Sequence, residues 1–425
     1  MLQTLYKKLF QLARPFIKTL LNKRIARGKE DPKRQNERYG QPKKMRPSGK
    51  LIWCHGASVG ESLSLIALIK RLLADFPDIH IMVTTGTVTS ARLMAERLPE
   101  QAFHQYIPVD HPVWGARFID HWKPDMVLWA ESDFWPNMLQ EIKKRDIPLA
   151  LVNARISPRS YKKWQLLSGW IKNILANFTI CLAQNKQEAQ KFIDLGAQRV
   201  EDTGNLKYAA QALPCDISEQ EEMENIISER VAWLMASSHP GEEEQVAEVH
   251  LALKKQKIPA ILSVIVPRHP ERGAEIKTQL ENLGLTIAQR SLGEKITSDV
   301  DIYIADTLGE LGLFFRTVPL VCIGGSFVPH GGHNPIEPAQ LGCQILYGPH
   351  MFNFETICAD FEGVSACRPV DTLKELEEEL LYFMHNQVEG KKMSEEARKL
   401  VEAKSGVVDN IIKILQPIFK KSGLL

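Results

Sequence analysis

The stretch LIWCHGASVGESLSLIALIKRLLADFPDIHIMV, residues 51–83, contains two short apolar runs separated by a longer helical pattern. Residues 51–54 and 79–83 are almost continuously apolar, whereas apolar residues recur at helical spacing across residues 62–74. Strands that are buried on both faces are continuously apolar, as in a parallel sheet covered by crossover helices. The stretch therefore predicts a strand, a turn, a helix and a second strand of an α/β domain.

This alternation continues along the chain with one pause, at residues 208–229, where Pro214 and an acidic run predict a linker. We therefore predict two doubly wound, Rossmann-like parallel-sheet domains, residues 51–207 and 230–425, that face each other across a cleft. The last helical pattern, residues 394–418, is expected to pack across the domain junction. The other predicted strands are residues 126–129, 148–152, 179–182, 231–236, 260–266, 285–288, 302–305, 320–323 and 344–347.

The composition is that of a folded protein, with 44% apolar and 24% charged residues in a chain of 425. Its seven cysteines are scattered and form no C-x-x-C pair, which predicts a reducing, cytosolic compartment. The chain lacks G-x-G-x-x-G after a strand, G-x-x-x-x-G-K-[ST] and H-E-x-x-H. These absences argue against a dinucleotide oxidoreductase, a P-loop NTPase and a zinc peptidase.

Residues 1–50 form a basic arm of net charge +12, whereas the rest of the chain has net charge −10. Apolar residues recur at helical spacing in residues 2–21, which predicts an amphipathic basic helix. Its uncharged stretches are far shorter than the ~18–20 residues that span a bilayer, so we expect the arm to lie in the membrane interface. The alternative is a helix packed on the protein's own surface and kinked at Pro15. Nucleic-acid binding is not expected, because Tyr39 is the one aromatic residue in residues 23–50.

Ligands of open parallel sheets bind beyond the carboxyl ends of the strands, and polar segments follow several predicted strands here. Glu61 follows the first strand, either as a helix-capping acid worth ~0.3–1 kcal/mol or as a general base. Gly56, Ser58 and Gly60 also match the G-x-S-x-G nucleophile elbow of serine hydrolases. However, no histidine occurs in residues 131–207 to complete a triad in the first domain.

Glu131 and Asp133 follow another predicted strand, beside Phe134 and Trp135. Acids at this position either orient a sugar and tune a neighbouring base, or cap a helix next to core aromatic residues. Lys207, at the end of the first domain, is either a solvated lysine or, in addition to Arg268, a second positive charge in a ligand site.

Arg268 and His269 lie between Pro267 and Pro270, which restrict the backbone of the turn. An arginine in such a turn can bind a phosphate or a carboxylate through two hydrogen bonds. The alternative is a rigid surface turn with solvated side chains.

Residues 324–338 include four glycines and two histidines ahead of Asn334. A loop with so few bulky side chains lets backbone amides approach a ligand. Asn334, followed by Pro335 and then by Glu337, predicts a capped helix start, which is also a favourable site for a phosphate.

These segments, in this order, resemble the 3-deoxy-D-manno-oct-2-ulosonic acid (Kdo) transferases of lipopolysaccharide assembly. That family has the two-Rossmann-domain glycosyltransferase fold called GT-B. The resemblance extends over most of the chain. It is carried by residues 55–61, 131–137, 153–157, 204–207, 237–243, 267–272, 306–312 and 324–339.

The resemblance implies that Glu61 is the catalytic base and that Glu131 and Lys207 assist the transition state. It also implies a CMP-Kdo donor, a lipid A precursor as acceptor, and transfer without a metal or a cofactor at the cytoplasmic face of the inner membrane. The arm is more charged than the hydrophobic anchors common in this family, which favours peripheral attachment. The residues implied to hold CMP are Arg268, His269, Leu308, Gly309, Glu310, Asn334, Pro335, Ile336 and Glu337.

Three other functions stay open from the residues alone. Another GT-B glycosyltransferase or a nucleotide-sugar epimerase would share the architecture and the glycine-rich loop. A membrane-bound carbohydrate-binding module would need no base, and a serine hydrolase would use Ser58 as its nucleophile.

Overall fold

The computed structural model describes residues 2–258 and 260–424, which form two compact units. The first unit comprises residues 2–210 and 404–424, and the second unit comprises residues 211–403. Each unit contains its own seven-stranded sheet, and the paired strands of both sheets are parallel. The predicted fold class, two doubly wound parallel-sheet domains, is therefore confirmed.

The strands are numbered in chain order. They are β1 (Lys50–His55), β2 (Ile79–Thr85), β3 (Ala102–Tyr106), β4 (Met126–Ala130), β5 (Leu149–Ala154), β6 (Ile180–Ala183), β7 (Val200–Asp202), β8 (Val231–Ser238), β9 (Ile261–Pro267), β10 (Ile287–Gln289), β11 (Ile302–Ile304), β12 (Leu320–Ile323), β13 (Gln344–Tyr347) and β14 (Arg368–Pro369). The first sheet has the order β3-β2-β1-β4-β5-β6-β7, and the second has the order β10-β11-β9-β8-β12-β13-β14. The strand order therefore reverses between β1 and β4 and between β8 and β12, the points where doubly wound sheets bind ligands.

The helices cover the faces of the two sheets. They are α1 (Leu2–Leu12), α2 (Arg14–Ala26), α3 (Val59–Asp75), α4 (Val88–Arg97), α5 (Pro112–Trp122), α6 (Pro136–Lys143), α7 (Pro158–Leu166), α8 (Ser168–Leu175), α9 (Lys186–Asp194), α10 (Ile217–Ile227), α11 (Glu242–Lys255), α12 (Gly273–Glu281), α13 (Leu311–Thr317), α14 (Ile336–Gln340), α15 (Glu355–Glu362), α16 (Leu373–His385), α17 (Gln387–Lys404) and α18 (Val407–Lys421). Short 3₁₀ helices span Pro32–Tyr39, Leu206–Ala209, Pro270–Arg272 and Arg290–Leu292.

Strand β1 shows why a continuous apolar run predicts a central strand. Leu51 and Trp53 belong to the core on one face of the sheet, and Ile52 and Cys54 belong to the core on the other face. All four side chains are fully buried. Strands β3, β7 and β14, which the sequence pattern missed, are edge strands, and such strands carry polar or exposed residues that interrupt the apolar run.

The C-terminal helix differs from the sequence-based domain boundaries. Residues 404–424 were predicted as part of the second domain, residues 230–425, but they belong to the first compact unit. The reason is apolar burial, since Ile411 and Leu415 of α18 lie in the same core cluster as Leu65 of α3.

The segment at residues 208–229, predicted as a linker, contains the regular helix α10. Met223 and Ile227 of α10 are buried, and the helix packs on α13 within the second unit. A short amphipathic helix of acidic composition resembles a linker in sequence, because its polar residues outnumber its two buried residues.

The basic arm begins with two helices, α1 and α2, that are separated at Ala13, close to the kink expected at Pro15. Tyr6 of α1 donates a hydrogen bond to Asp110 (2.9 Å), and the Gln3 amide donates to the carbonyl oxygen of Pro136 (3.2 Å). One side of the arm is therefore packed on the first unit. Among the described residues, no helix has both the length and the apolar composition to cross a bilayer.

Candidate active site

Glu61 lies in the first turn of α3, directly beyond the carboxyl end of β1. Its Oε1 accepts a hydrogen bond from the Ser58 hydroxyl (2.8 Å), its Oε2 accepts one from the backbone N–H of Ala57 (2.7 Å), and its own N–H donates to Ser58 Oγ (3.3 Å). Of the two roles predicted for Glu61, helix-capping acid and general base, these hydrogen bonds fit the first. Burial and the negative charge of Glu131 raise its pKa to about 6, so the carboxylate is also a better proton acceptor than an exposed glutamate.

Glu131 follows β4 and adopts a backbone φ of +57°, in the left-handed region that non-glycine residues rarely occupy. Such strain is concentrated at functional sites. Burial raises the pKa of Glu131, and the positive charges of Lys207 and Arg155 oppose this shift. The side chain is therefore a partly desolvated carboxyl group held beside two cations.

Lys207 lies in the 3₁₀ helix Leu206–Ala209, whose start is fixed by two asparagines. Asn153 Oδ1 accepts from the backbone N–H of Leu206 (3.0 Å), and Asn205 Oδ1 accepts from that of Lys207 (3.0 Å). Leu206 also lies in the core cluster that contains α18. The C-terminal helix therefore supports the element that carries Lys207.

Three residues predicted from separate segments are brought together in the first unit. Burial lowers the pKa of Lys207, and the charges of Glu131 and Glu61 oppose this shift. Because each of the three side chains interacts electrostatically with the other two, they form one cluster with Arg155. We call Glu61, Glu131, Arg155 and Lys207 the carboxylate–cation cluster.

Sequence reasoning gave no role to Arg155, Asn153 or His55, although each lies at or just beyond the end of a strand. Asn153 has a backbone φ of +53°, and its Nδ2 has no hydrogen-bond partner among the described residues. His55 is fully buried, donates or accepts at Nδ1 with Thr84 Oγ1 (2.8 Å) and contacts the Trp129 ring at 4.1 Å between centroids. Its Nε2 likewise has no partner within the described part of the chain. Their positions in the sequence could have identified these residues, because segments that follow neighbouring parallel strands converge at one edge of the sheet.

Ser58, the nucleophile of the hydrolase alternative, is the N-cap of α3. Its hydroxyl donates to a carboxylate and accepts from a backbone N–H. A triad serine instead donates to a histidine that is oriented by an acid. The local geometry therefore explains the G-x-S-x-G match as a capped turn that positions Glu61.

In the second unit, the glycine-rich loop after β12 is organised by Glu242, the first residue of α11, which sequence reasoning did not single out. The Glu242 carboxylate accepts hydrogen bonds from the backbone N–H groups of Gly325 (2.7 Å), Ser326 (3.1 Å), Phe327 (3.0 Å) and His239 (2.9 Å). The expectation that the amides of this loop approach a ligand is therefore wrong for these three loop residues. The buried Glu242 carboxylate already accepts their hydrogen bonds. Burial raises the pKa of Glu242, and the hydrogen bonds from these backbone N–H groups oppose that rise.

Arg268 and His269 follow β9 and have exposed side chains. The backbone N–H of Arg268 donates to the carbonyl oxygen of Ser238 (2.9 Å), which ties this turn to the end of β8. His269 Nδ1 lies 3.6 Å from Glu271 Oε1. The guanidinium of Arg268 can therefore reach an anion beyond the carboxyl ends of β8 and β9.

Leu308, Gly309 and Glu310 form the turn before α13. The side chain of Leu308 is 86% exposed, and Gly309 has a φ of +87° that favours glycine. Glu310 accepts hydrogen bonds from the Arg290 guanidinium at 2.6 and 2.5 Å. Leu308 therefore exposes an apolar side chain, whereas Glu310 is engaged in an ion pair.

Asn334 and Glu337 lie at the start of α14. Asn334 Oδ1 accepts from the backbone N–H of Ile336 (3.2 Å), and its Nδ2 donates to Glu337 Oε1 (3.3 Å). Pro335 and Ile336 are buried. The predicted cap is shifted by one residue, because the N-cap of α14 is Pro335, which makes no side-chain cap hydrogen bond. Helix α14 has five residues, so its dipole is weaker than that of a long helix.

Among residues 2–258 and 260–424, no group of three or more histidine, cysteine, aspartate or glutamate side chains is arranged to hold a metal ion.

The chain is similar to known proteins over nearly its whole length. Residues 33–210 match the family model described as 3-deoxy-D-manno-octulosonic-acid transferase (kdotransferase). The 3-deoxy-D-manno-octulosonic acid transferase of Rickettsia bellii is 34% identical over 420 residues, which cover 98% of this chain and 99% of that protein. A probable mitochondrial 3-deoxy-D-manno-octulosonic acid transferase of Arabidopsis thaliana is 32% identical over 423 residues, which cover 97% of this chain and 94% of that protein.

A solved structure extends the likeness of fold. The UDP-GlcNAc 2-epimerase of Neisseria meningitidis matches 86% of this chain and 100% of its own, with a TM-score of 0.58 and 14% identity. This likeness concerns the fold alone, whereas the sequence relatives identify the family. The chain therefore belongs to the family of 3-deoxy-D-manno-octulosonic acid (Kdo) transferases, the glycosyltransferases of lipopolysaccharide biosynthesis.

Proposed function

We propose that this protein transfers Kdo from CMP-Kdo to a hydroxyl group of a lipid A precursor, lipid IVA, with inversion of configuration and without a metal ion. The observation that carries the proposal is the carboxylate–cation cluster, in which a carboxyl group of raised pKa lies beside a second carboxyl group and a lysine. Such a pairing of perturbed groups is typical of acid–base sites.

In the proposed step, the Glu61 carboxylate takes the proton of the acceptor hydroxyl while that oxygen bonds to C2 of Kdo. The bond between C2 and the phosphate oxygen breaks on the opposite side, and CMP leaves with the electron pair. A single displacement of this kind inverts the configuration at C2. Glu131 and Lys207 stabilise the charges that develop in the transition state.

The donor carries one phosphate and one carboxylate, so cationic side chains can neutralise it without the metal clamp that a diphosphate needs. Arg268 is exposed beyond the carboxyl end of β9 and is the first candidate for this contact. His269, Leu308, Gly309, Glu310 and the 334–337 turn complete the proposed CMP site.

Arg268→Ala is expected to weaken CMP binding about tenfold or more, because a hydrogen bond to a charged group contributes about 1.5–3 kcal/mol. Glu337→Ala is expected to weaken it as well, since Asn334 loses a partner that orients the turn. Isothermal calorimetry with CMP and UDP measures both effects, and Arg398→Ala on the exposed face of α17 is the matched control. Unchanged affinity in both variants would contradict this location of the donor.

Product formation distinguishes the proposal from the epimerase and binding-module alternatives. Mass spectrometry of lipid IVA incubated with CMP-Kdo and enzyme is expected to show added Kdo, both with and without EDTA. A strict metal requirement would contradict neutralisation by side chains alone, and preference for a UDP-sugar would contradict the donor class.

The arm supports the proposed site at the cytoplasmic face of the inner membrane. While Gln3 and Tyr6 face the protein, the opposite side of α1 and α2 exposes large apolar side chains that alternate with basic ones such as Lys8 and Arg14. Basic residues near an anionic surface contribute about 1 kcal/mol each, and apolar burial adds a contribution that salt does not screen. The exposed apolar residues are Leu2, Leu5, Leu9, Leu12, Phe16 and Leu20.

Leu5→Ser combined with Leu9→Ser and Phe16→Ser is expected to release the protein from anionic vesicles and to raise the KM for vesicle-borne acceptor. The combined variant keeps Gln3 and Tyr6, so it separates membrane docking from packing of the arm, which deletion of residues 1–22 does not. Co-sedimentation with vesicles at rising salt measures binding, which should weaken but persist in the wild type. Full binding by the variant would place the docking surface elsewhere.

A further inference from the structure

Four histidines meet at the carboxyl ends of β8, β9 and β12 in the second unit. His239 follows β8, His269 follows β9, and His330 and His333 lie in the glycine-rich loop after β12. The His239 ring stacks on His330 at 3.8 Å between centroids, lies parallel to the His333 ring at 5.1 Å, and meets the His269 ring edge-on at 6.0 Å. The proposed CMP site includes His269 but assigns no role to His239, His330 or His333.

The closest contact in this cluster joins His239 Nε2 and His333 Nε2, which lie 2.9 Å apart. Two imidazole nitrogens at hydrogen-bond distance need one N–H donor and one lone pair. Two protonated rings would instead place one N–H against the other. The unliganded pair therefore holds a single proton between these nitrogens.

The geometry of the pair is enforced by its surroundings. The His239 backbone N–H is bound by Glu242 (2.9 Å), and the same carboxylate holds Gly325. A Cβ atom at Gly325 would lie 3.2 Å from His239 Cδ2 and 3.4 Å from His333 Cδ2, so glycine leaves room for both rings.

The groups that face the pair are mostly cationic or neutral. Arg268 and Arg272 lie on the side of β9 and α12, and His269 and His330 complete the shell. Arg272 is already paired with Glu243 (2.8 Å), and the Glu242 carboxylate is occupied by backbone N–H groups. Burial and these cationic neighbours lower the pKa of His239 to about 4 and that of His333 to about 3. Both rings are therefore neutral near pH 7, and the carboxylates of Glu242 and Glu243 are already engaged by other donors.

We propose that His239 and His333 form a proton-uptake site for the phosphate of the bound nucleotide. When the phosphate enters, the pair takes one proton from solvent, the hydrogen bond between the two rings opens, and each Nε2–H donates to a phosphate oxygen. The proton returns to solvent when the nucleotide leaves. This inference rests on the proposed CMP-linked donor, and it adds two phosphate-binding residues and a coupled proton to that site.

A bound anion favours the charged form of a neighbouring imidazole, which is the physical reason for the uptake. By linkage, the association constant then rises as pH falls, approaching about tenfold per pH unit while the complex holds one proton more than the free protein and ligand. A site made of arginines alone would take up no proton, because the charge of arginine does not change near neutral pH.

The test is calorimetry of CMP binding to the full-length protein at about pH 7.5, where CMP is mostly a dianion because its second pKa is about 6. Titrations in Tris and in Hepes, which differ in ionisation enthalpy, report the number of protons taken up. The methyl ester of CMP, a phosphodiester that does not titrate in this range, separates protons taken up by the protein from those taken up by the ligand. We expect net proton uptake with both ligands.

His239→Gln and His333→Gln keep a hydrogen-bonding side chain but do not titrate, so each is expected to abolish the uptake and to flatten the pH dependence of affinity. His385→Gln, at the exposed end of α16, is the matched control and should leave the uptake unchanged. Binding of CMP without proton uptake, or uptake that survives in both variants, overturns the inference while leaving the donor class intact. Failure of the wild type to bind CMP overturns the proposed donor class and the inference together.

Discussion

Glu61→Gln is expected to lower the rate of Kdo transfer by about 10²–10⁴-fold, the usual effect of losing a positioned general base. Glutamine at this position can still accept from Ala57 or Ser58, and glutamine serves nearly as well as glutamate in a capping box. The variant should therefore keep its thermal stability and its CMP affinity. Steady-state transfer assays, thermal melts and calorimetry separate the loss of chemistry from a loss of structure.

Ser58→Ala is the matched control for this experiment. It removes the hydroxyl that donates to Glu61 but leaves the carboxylate, so it should cost helix stability and retain most of the turnover. A Glu61→Gln enzyme that retains more than about a tenth of wild-type turnover would remove Glu61 from the role of base.

The wild-type rate should also fall as pH drops through about 6, because burial and the charge of Glu131 raise the pKa of Glu61 to that value. A carboxyl group of raised pKa is ionised above that pH and becomes protonated below it, so the acid limb of the kcat/KM profile reports its loss as a base.

Lys207→Met is expected to lower kcat by about 10²–10³-fold, the range seen when one group that stabilises transition-state charge is removed. Methionine preserves the length and the apolar stem of the side chain but not its charge. Because Lys207 also interacts with Glu61, and a nearby positive charge favours the ionised form of a carboxyl group, the variant should protonate Glu61 at higher pH. The acid limb of the pH profile is therefore expected to move upward together with the loss of kcat.

Lys186→Met, on the exposed start of α9, is the control and should leave both quantities unchanged. A lysine that only supports the fold would instead change the melting temperature without moving the pH profile. A Lys207→Met variant with an unmoved pH profile and a kcat near the wild-type value would contradict the role of Lys207 in stabilising the transition state.

The fold was predictable because its signals are local. The continuous apolar run at residues 51–54 required burial on both faces, and the helical spacing that follows required a crossover helix. Edge strands such as β3 and β7 could not be found in this way, since exposed residues interrupt the pattern that defines a buried strand.

The candidate residues were predictable one at a time, because each follows a strand, but their relationships were not. Local sequence does not show that Lys207 lies beside Glu131, or that Glu242 binds the amides of a loop more than eighty residues later. These contacts depend on which strands become neighbours, and a parallel sheet joins strands that are distant in the chain.

The sequence by itself therefore determined the two doubly wound sheets, the turn that presents Glu61 and the basic character of the arm, since periodicity and turn chemistry are properties of neighbouring residues. Tertiary structure alone decided three other features. It placed α18 in the first unit, it divided the apolar residues of the arm between a packed side and an exposed side, and it brought His239 to His333. Each of these features follows from burial or charge between segments that are far apart in sequence, and the free energy of such contacts is set by the whole fold.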